Sequence, residues 1–535
     1  MSETPGSDRA GTGTPVYRHD HLVPDAIARH ARLNPQRIAV TCGDERLSWA
    51  EFDQRINRLA HALIGRGCAK GDRVCMILPN GIPSFVLFWA AIRAGGVIVP
   101  LNPMLDDEAL ARLAGDSGAR LIFAGDTTAA QVDRIRNRLA HIGADGYFLF
   151  GADTPGWADA AAFAESGAAH APDVPLSPGD PMTIFYSSGT TGEPKGIAHT
   201  HFGRLNYCYG FGAGLGVNRY TVAVCTTPIY ASGTLITMLP TLYYGGKVVL
   251  VEKFSAPAFF EAVTREGGTH AFMVPAMYVS VVQHDDDAAD LSSLQVLISA
   301  GQSMPLALRE TLAARIPGSG VYEVYGMTEG FFTLALPGDF AGGKRNTVGQ
   351  PGFLEDIRII DDEGRELPAG ETGEIVAYGA GMMTGYFGKP ELTAENLWIG
   401  PGDRTFLRSG DLGHLDEDGF LYVSGRKKEM IKSGGINIYA IDIEEVLARH
   451  PDVREAAVVG VPHPRWMETP VGAVVLRAGA LTDADALLEW VNTRLARYQR
   501  LSAIHLRTDF PRATYGKIRK DRLRDELAEN APNPA

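Results

Sequence analysis

No apolar stretch in this sequence is long enough to cross a bilayer. The longest, around Phe85 to Pro100, is interrupted by Arg93, Gly95 and Gly96, so it falls short of the roughly 18 residues a spanning helix needs. Its pattern predicts a buried helix followed by a strand. Cysteine is scarce as well. The five present (Cys42, Cys68, Cys75, Cys208, Cys225) form no C-x-x-C pair and are odd in number, which argues against a disulfide framework or a zinc site and predicts reduced, mostly core residues. Basic residues are outnumbered, and a formal charge of −13 disfavours a nucleic-acid binder, whose phosphate contacts demand a basic surface. Any polyanionic ligand must then be met by a local site. No G-x-S-x-G elbow occurs, so hydrolase chemistry has no support. The first twenty residues are rich in Gly, Ser, Thr and Pro and lack an apolar core. They are expected to be a disordered tail rather than a signal peptide, and a cytoplasmic location is expected with them.

What is present is an ordinary globular composition, 45% hydrophobic and 21% charged over 535 residues, enough for several layered cores. Ser48-Trp-Ala-Glu51 reads as a capping box, and Phe52, Ile56, Leu59, Ala60 and Leu63 follow at helical spacing. Short apolar runs at Val74–Leu78, Val97–Leu101, Leu121–Phe123, Val222–Thr226, Val248–Val251 and Gln295–Ser299 alternate with helical stretches. That alternation predicts an α/β fold, a large multi-layered N-terminal domain with mostly parallel sheets. From Ile357 the texture changes to short strands and turns (Ile357–Ile360, Asp362-Glu-Gly364, Glu374–Tyr378, Phe420–Ser424), a small β-rich lobe. Beyond Arg426 the order is helix (Ile441–Arg449), strand (Ala456–Val459), strand (Gly472–Leu476), helix (Asp483–Arg497) and a strand near Ile504, which suits a small, mobile α+β C-terminal domain. The expected division is a tail at 1–20, a first domain at 21–426, a second at 427–528 and a tail at 529–535.

The most specific segment is Tyr186-Ser-Ser-Gly-Thr-Thr-Gly-Glu-Pro-Lys-Gly196, following the apolar run Met182–Phe185. Glycines admit a ligand close to the backbone, hydroxyls donate hydrogen bonds and Lys195 supplies a cation, the requirements of a phosphate cradle. It is not a Walker loop, because Glu193 and Pro194 separate Gly192 from Lys195 and a glycine follows the lysine.

This segment resembles the phosphate loop of the adenylate-forming superfamily, which includes acyl- and aryl-CoA synthetases, amino-acid adenylation domains and beetle luciferase. Asn57-Arg-Leu-Ala60, Gly71-Asp72 and Pro100-Leu-Asn-Pro103 are similar to that family's amino-terminal landmarks, and further segments match downstream in the expected order. The resemblance implies an AMP-binding first domain and ATP contacts from Ser187, Ser188, Gly189, Thr190, Thr191, Gly192 and Lys195. Tyr322-Glu-Val-Tyr-Gly-Met-Thr-Glu329 resembles the segment in which a tyrosine (Tyr325) lies against adenine, a threonine (Thr328) reaches the α-phosphate and a glutamate (Glu329) holds magnesium. A hard cation's preference for carboxylate oxygen agrees with that role. Ser299-Ala-Gly-Gln302 resembles the small-residue segment beside adenine and the acyl pocket, which places Gly301 there.

Arg408-Ser-Gly-Asp411 resembles the segment whose aspartate accepts both ribose hydroxyls, a natural task for an ionised carboxylate. Gly425-Arg-Lys-Lys428 is similar to the domain junction, with Arg426 near the nucleotide and Lys428 as the hinge. Lys432-Ser-Gly-Gly435 resembles the loop that lines the pantetheine tunnel, implying Lys432, Gly434 and Gly435 as contacts to coenzyme A. Pro511-Arg-Ala-Thr-Tyr-Gly-Lys517 resembles the terminal motif, making Lys517 the catalytic lysine beside Thr328 and Glu329. The implied reaction is carboxylate plus ATP to acyl-adenylate and pyrophosphate, then transfer to the coenzyme A thiol. His199 and His201 flank the phosphate loop without a nearby carboxylate or nucleophile in sequence and read as packing residues.

For the acid, Thr227-Pro-Ile-Tyr-Ala-Ser-Gly233 places Tyr230 and then Ala231 where many acyl and aryl ligases have an aromatic residue and histidine. Thr221 to Val251 contains no Asp or Glu, so an amino-acid ammonium would be buried unpaired, a costly state. A neutral aryl, alicyclic or medium-chain acid is expected, lined by Tyr230, Ala231, Gly301, Met327 and Phe331. The partners expected are that acid, ATP, Mg2+ and coenzyme A, with no nucleic acid, no transmembrane segment and a homodimer as the assembly considered. Three alternatives stand beside this reading: a ligase loading a carrier protein, a luciferase-like oxygenase, and a non-catalytic nucleotide-binding homologue, which would be expected to lose Lys517, Glu329 or Asp411.

Overall fold

The Glu51 N–H donates to the Ser48 hydroxyl at 3.3 Å and the Ser48 N–H to the Glu51 carboxylate at 2.8 Å, so the capping box starts the helix Trp49–Gly65. Its apolar stripe, Phe52, Ile56, Leu59, Ala60 and Leu63, is buried. The apolar run near Phe85 forms the helix Ile82–Arg93, buried on every side, then the strand Val97–Pro100. Arg93 is tolerated inside because its guanidinium donates to Asp53 at 2.5 Å, Asn57 at 2.6 Å and the Pro24 carbonyl at 3.1 Å. The computed structural model describes residues 21–187, 194–286, 289–434, 436–512 and 518–529.

Among the described residues, two large sheets face one another across helices. The nine-stranded sheet runs Gln350–Pro351, Phe332–Ala335, Gly320–Gly326, Val296–Ala300, His270–Met273, Val222–Cys225, Lys247–Leu250, Ile38–Cys42, Glu45–Ser48. Its interior pairs are parallel and its edges antiparallel. The eight-stranded sheet runs Gly385–Tyr386, Lys195–Thr200, Pro181–Ser187, Val97–Pro100, Arg73–Ile77, Leu121–Gly125, Tyr147–Phe150, Ala158–Asp159. One apolar core joins the sheets, with Val248 and Leu250 of the first and Val74 and Ile98 of the second meeting the helices Ile82–Arg93 and Leu235–Tyr244. The β-rich lobe is antiparallel: Glu355–Ile360, Gly373–Gly379, Thr405–Leu415 and Leu397–Ile399 in spatial order, with Leu421–Arg426 also on Thr405–Leu415.

The last part of the chain builds its own α+β layer. Val453–His463 and Met467–Leu476 form a long antiparallel hairpin, Ala503–Arg507 runs parallel to the second strand, and Ala440–Ala448, Ala484–Asn492 and Lys520–Glu529 are helices. Its two apolar clusters draw only on residues from Ile431 onward. The helix expected to reach Arg497 ends at Asn492. The Asn492 side chain there accepts from the Leu501 N–H at 2.8 Å and donates to the Leu501 carbonyl at 2.9 Å, folding the chain back. The thiols of Cys68, Cys75, Cys208 and Cys225 are buried and raised by desolvation, Cys68 to about 11. No helix among the described residues is long and apolar enough to cross a membrane.

Candidate active site

The two flanks of the phosphate-loop motif lie on paired strands. Pro181–Ser187 pairs with Lys195–Thr200, closing with Ser187 opposite Lys195. Ser188, Gly189, Thr190, Thr191 and Gly192 lie outside the described residues. The strand Gly385–Tyr386 adds to this hairpin, with Tyr386 opposite Ile197, and places its phenol ring 5.1 Å from Lys195 Nζ. The Lys389 ammonium donates to the Pro194 carbonyl at 2.7 Å, and the Tyr186 hydroxyl to Asp116 at 2.7 Å. The base of the loop is thus gripped from two sides.

Tyr325, near the end of Gly320–Gly326, donates its hydroxyl to Asp411 Oδ2 at 2.8 Å. Asp411 lies opposite Arg426 in the neighbouring strand, and Arg426 Nε is 3.3 Å from Asp411 Oδ1. Three motifs spread over a hundred positions therefore meet at one carboxylate. Burial first, and then the Asp411 charge, push the Tyr325 phenol well above its ordinary value, so it remains a donor.

Glu329 is buried, and its Oε1 accepts from the Tyr386 hydroxyl at 3.0 Å. Desolvation raises its carboxyl, opposed by that hydrogen bond and by the Lys195 charge. A buried carboxylate with one oxygen held and its charge poorly compensated is a donor set that suits a hard divalent cation. Beside it, Thr328 Oγ1 and Ser232 Oγ are 2.8 Å apart. Gly301, past the strand Val296–Ala300, has φ +88°, and a Cβ there would meet nothing nearer than Val274 Cγ1 at 3.7 Å. Backbone conformation rather than space asks for glycine.

Of the expected acyl-pocket residues, Phe331 is buried with its ring 5.9 Å from Tyr325, and Met327 joins the same apolar cluster. Ala231 is buried and Tyr230 half-buried, its phenol raised by burial. They precede Ser232, whose contact with Thr328 brings that loop to the site.

The residues on the last unit are held differently. Lys427 pairs with Glu374 at 3.0 Å and Asp362 at 2.8 Å, both on the lobe. Glu429 lies 3.7 Å from Lys520, which pairs with Glu444 at 2.8 Å. Lys428, between them, makes no ion pair among the described residues. The Lys432 side chain is exposed while its N–H donates to Glu468 at 2.8 Å. Gly434 (φ +58°) donates its N–H to the Trp466 carbonyl at 2.9 Å. Gly435 and Lys517 lie outside the described residues. His199 and His201 are buried and held below the ordinary histidine value by desolvation. His199 also faces Arg204 at 3.2 Å, as expected of packing residues. Sequence reasoning missed Tyr386, Ser232 and Trp466. Ser232 stood in the hydroxyl-rich stretch Thr226-Thr-Pro-Ile-Tyr-Ala-Ser232, which was a usable signal; Tyr386 and Trp466 had none.

The family profile described as AMP-binding enzyme matches residues 27–387, and that described as AMP-binding enzyme C-terminal domain matches residues 442–517. Among curated proteins, the chain is 36% identical over 501 residues to a feruloyl-CoA synthase of Amycolatopsis sp, covering 93% of this chain and 97% of that one. It is 33% identical over 512 residues to the indoleacetate–CoA ligase of Aromatoleum aromaticum, covering 94% and 97%. Among solved structures, ATP-bound MatB from Rhodopseudomonas palustris superimposes with a TM-score of 0.86 at 26% identity over 95% of this chain and 100% of that one. The chain belongs to the AMP-binding enzyme family. It is an AMP-forming acid–thiol ligase of the acyl-CoA synthetase kind.

Proposed function

We propose that the enzyme condenses a neutral aryl, alicyclic or medium-chain carboxylic acid with ATP to an acyl-adenylate, releasing pyrophosphate, and then transfers the acyl group to coenzyme A with release of AMP. The observation that carries this reading is the convergence of Tyr325 and Arg426 on the Asp411 carboxylate. Tyr325 stands on the same strand–turn segment as Thr328 and Glu329, while Asp411 and Arg426 come from two paired strands of the lobe. Asp411 accepts from the ribose hydroxyls, Tyr325 offers its ring to adenine, and Arg426 stays beside the sugar and phosphates.

A carboxylate and a triphosphate repel each other, so adenylation needs positive charge and donors at the α-phosphate. Lys195, the Thr328 hydroxyl and Lys517 supply them. Glu329 would hold a magnesium ion, which when bound neutralises phosphate charge. The Tyr386 hydroxyl occupies one Glu329 oxygen and keeps the carboxylate aimed. No protein nucleophile is required, since positioning and charge stabilisation suffice. The thiol step needs Lys517 withdrawn and the Lys432–Gly435 loop brought in. A pivot at Lys428 does both, because Lys427 is tied to the lobe and Glu429 to the last unit, leaving the backbone between them to turn.

The choice of acid is supported by the absence of Asp and Glu from Thr221 to Val251 and by the aromatic side chains of Tyr230 and Phe331. The names of two relatives, a feruloyl-CoA synthase and an indoleacetate–CoA ligase, point to aryl acids. The test is product analysis over a panel of aromatic, alicyclic and fatty acids, with and without coenzyme A. AMP, pyrophosphate and a coenzyme A thioester are expected, fastest with a neutral aryl acid. ADP and phosphate would refute the reaction, and pyrophosphate release with no coenzyme A thioester would assign the acyl group to another thiol.

A further inference from the structure

The loop that precedes the helix Leu235–Tyr244 is bonded more densely than a flexible pocket wall requires. Asn80, itself buried, donates to the Thr227 and Val251 carbonyls at 3.0 Å each and accepts from the Ile229 N–H at 2.8 Å. Thr226 donates to the Phe272 carbonyl at 2.9 Å. The Thr234 hydroxyl donates to the Pro228 carbonyl at 2.6 Å, and since its one proton is thereby committed, Thr227 must be the donor in the 2.8 Å contact between the two threonines. The Ala231 N–H donates back to Pro228 and the Thr234 N–H to Ala231, both at 3.0 Å. The loop is therefore a rigid bracket.

At its end the bracket presents one half-buried hydroxyl, Ser232 Oγ, to Thr328 Oγ1 at 2.8 Å across 96 positions of sequence. Thr328 has a single O–H. By the geometry of the pair alone either hydroxyl can donate. Once the Thr328 proton is given to a phosphate oxygen, which only accepts, Ser232 must be the donor in the pair. The chain Ser232 O–H to Thr328 O–H to phosphate has one possible direction, and a hydroxyl that already accepts a hydrogen bond is polarised as a donor.

Resting on the role proposed above for Thr328, we infer that Ser232 is a positioning residue for adenylate formation, fixing the Thr328 rotamer and aiming its proton at the reacting phosphate. Ser232 and Asn80 were not among the residues that motif resemblance singled out, and this gives the acyl-pocket loop a second task beside lining the acid.

The experiment follows both half-reactions, single-turnover adenylate formation from ATP and the best aryl acid of the panel, and thioester formation from synthesised acyl-adenylate and coenzyme A. The variants are Ser232→Ala, Ser232→Thr, Thr328→Ala and the double alanine variant. Ser232→Ala should slow adenylate formation about 3- to 10-fold, the range of one neutral hydrogen bond, with the thioester step and the melting temperature unchanged. Ser232→Thr should restore the rate. The double variant should be no slower than Thr328→Ala alone, because Ser232 acts only through Thr328. Additive losses, or a Ser232→Ala enzyme as fast as the parent while Thr328→Ala is slow, would overturn the inference and leave the role of Thr328 standing. A Thr328→Ala enzyme as fast as the parent would overturn both.

Discussion

The wall proposed to face the nucleotide and the last unit treat the side chains assigned to function in opposite ways. On the wall, Tyr325 bonds Asp411, Tyr386 bonds Glu329 and Ser232 bonds Thr328 before any ligand arrives. On the last unit, among the described residues, the Lys428 and Lys432 side chains are exposed, and the backbone N–H groups of Lys432 and Gly434 are what is tied. Groups that stabilise charge at one fixed position gain from being held in advance, since no reorganisation is then needed in the transition state. Groups that must exchange places between two half-reactions must be free to leave, and a side-chain lock to the wall would oppose that.

The sharpest way to break this comparison is to strip a residue from the unit proposed to move and ask which half-reaction notices. Lys517→Ala should slow adenylate formation by about 10²–10³, the loss typical of one stabilising donor, while thioester formation from supplied acyl-adenylate persists. Lys428→Pro, which fixes φ at the proposed pivot, should do the reverse, allowing adenylate to form but transferring it poorly to coenzyme A. Equal losses in both steps for both variants would mean that one fixed arrangement performs the whole reaction.

On the wall, Asp411→Ala removes the acceptor that Tyr325 and Arg426 surround, and ATP should bind more weakly by roughly 1.5–3 kcal/mol. Calorimetric titration with ATP reads this directly, and an unchanged dissociation constant would remove Asp411 from the nucleotide site. In contrast to its neighbours, Glu355 on the lobe is a carboxyl held without a partner: its Oε2 is buried and unbonded, and burial alone raises it from the usual 4.5 to about 8. The folded state therefore keeps a proton that the unfolded chain has released. This contribution favours folding at low pH and is lost as pH rises from about 4.5 through about 8. Glu355→Met should stabilise the protein by about 1–3 kcal/mol at the alkaline end of that window, and melting curves at pH 5 and pH 9 should differ less than in the parent. A variant whose melting temperature falls equally at both pH values would show that the carboxyl is not buried at a cost.

The smallest effect belongs to the hairpin tip of the last unit. Met467 has φ +67°, a conformation that favours glycine, and its side chain is exposed. Met467→Gly should stabilise by about 1 kcal/mol, the strain of an L-residue in that region less the flexibility that glycine adds to the unfolded chain. A lower melting temperature would show that the methionine contributes packing that outweighs its strain.

Much of the architecture was legible because it rests on local rules. The Ser48–Glu51 cap, the buried helix ahead of Val97–Pro100 and the alternating strands follow from hydroxyl spacing and apolar periodicity, which act over a few residues. The helix near Asp483 was read too long because its stop comes from the Asn492–Leu501 exchange, a contact nine positions away that no propensity encodes. Asp411, Tyr325, Thr328 and Glu329 could be proposed from the sequence because each lies in a segment with a recognisable pattern.

What the sequence by itself determined is therefore the class of fold and the family, and it proposed the residues to meet a nucleotide, since these depend on composition, periodicity and short motifs. Only the tertiary structure decided how those residues are held. Tyr386 reaches Glu329 across 57 positions and Ser232 reaches Thr328 across 96. The partner of a hydroxyl is not written in sequence until a sheet edge or a bracketed loop carries the two within 3 Å, because hydrogen bonds depend on distance and direction in space rather than on order along the chain.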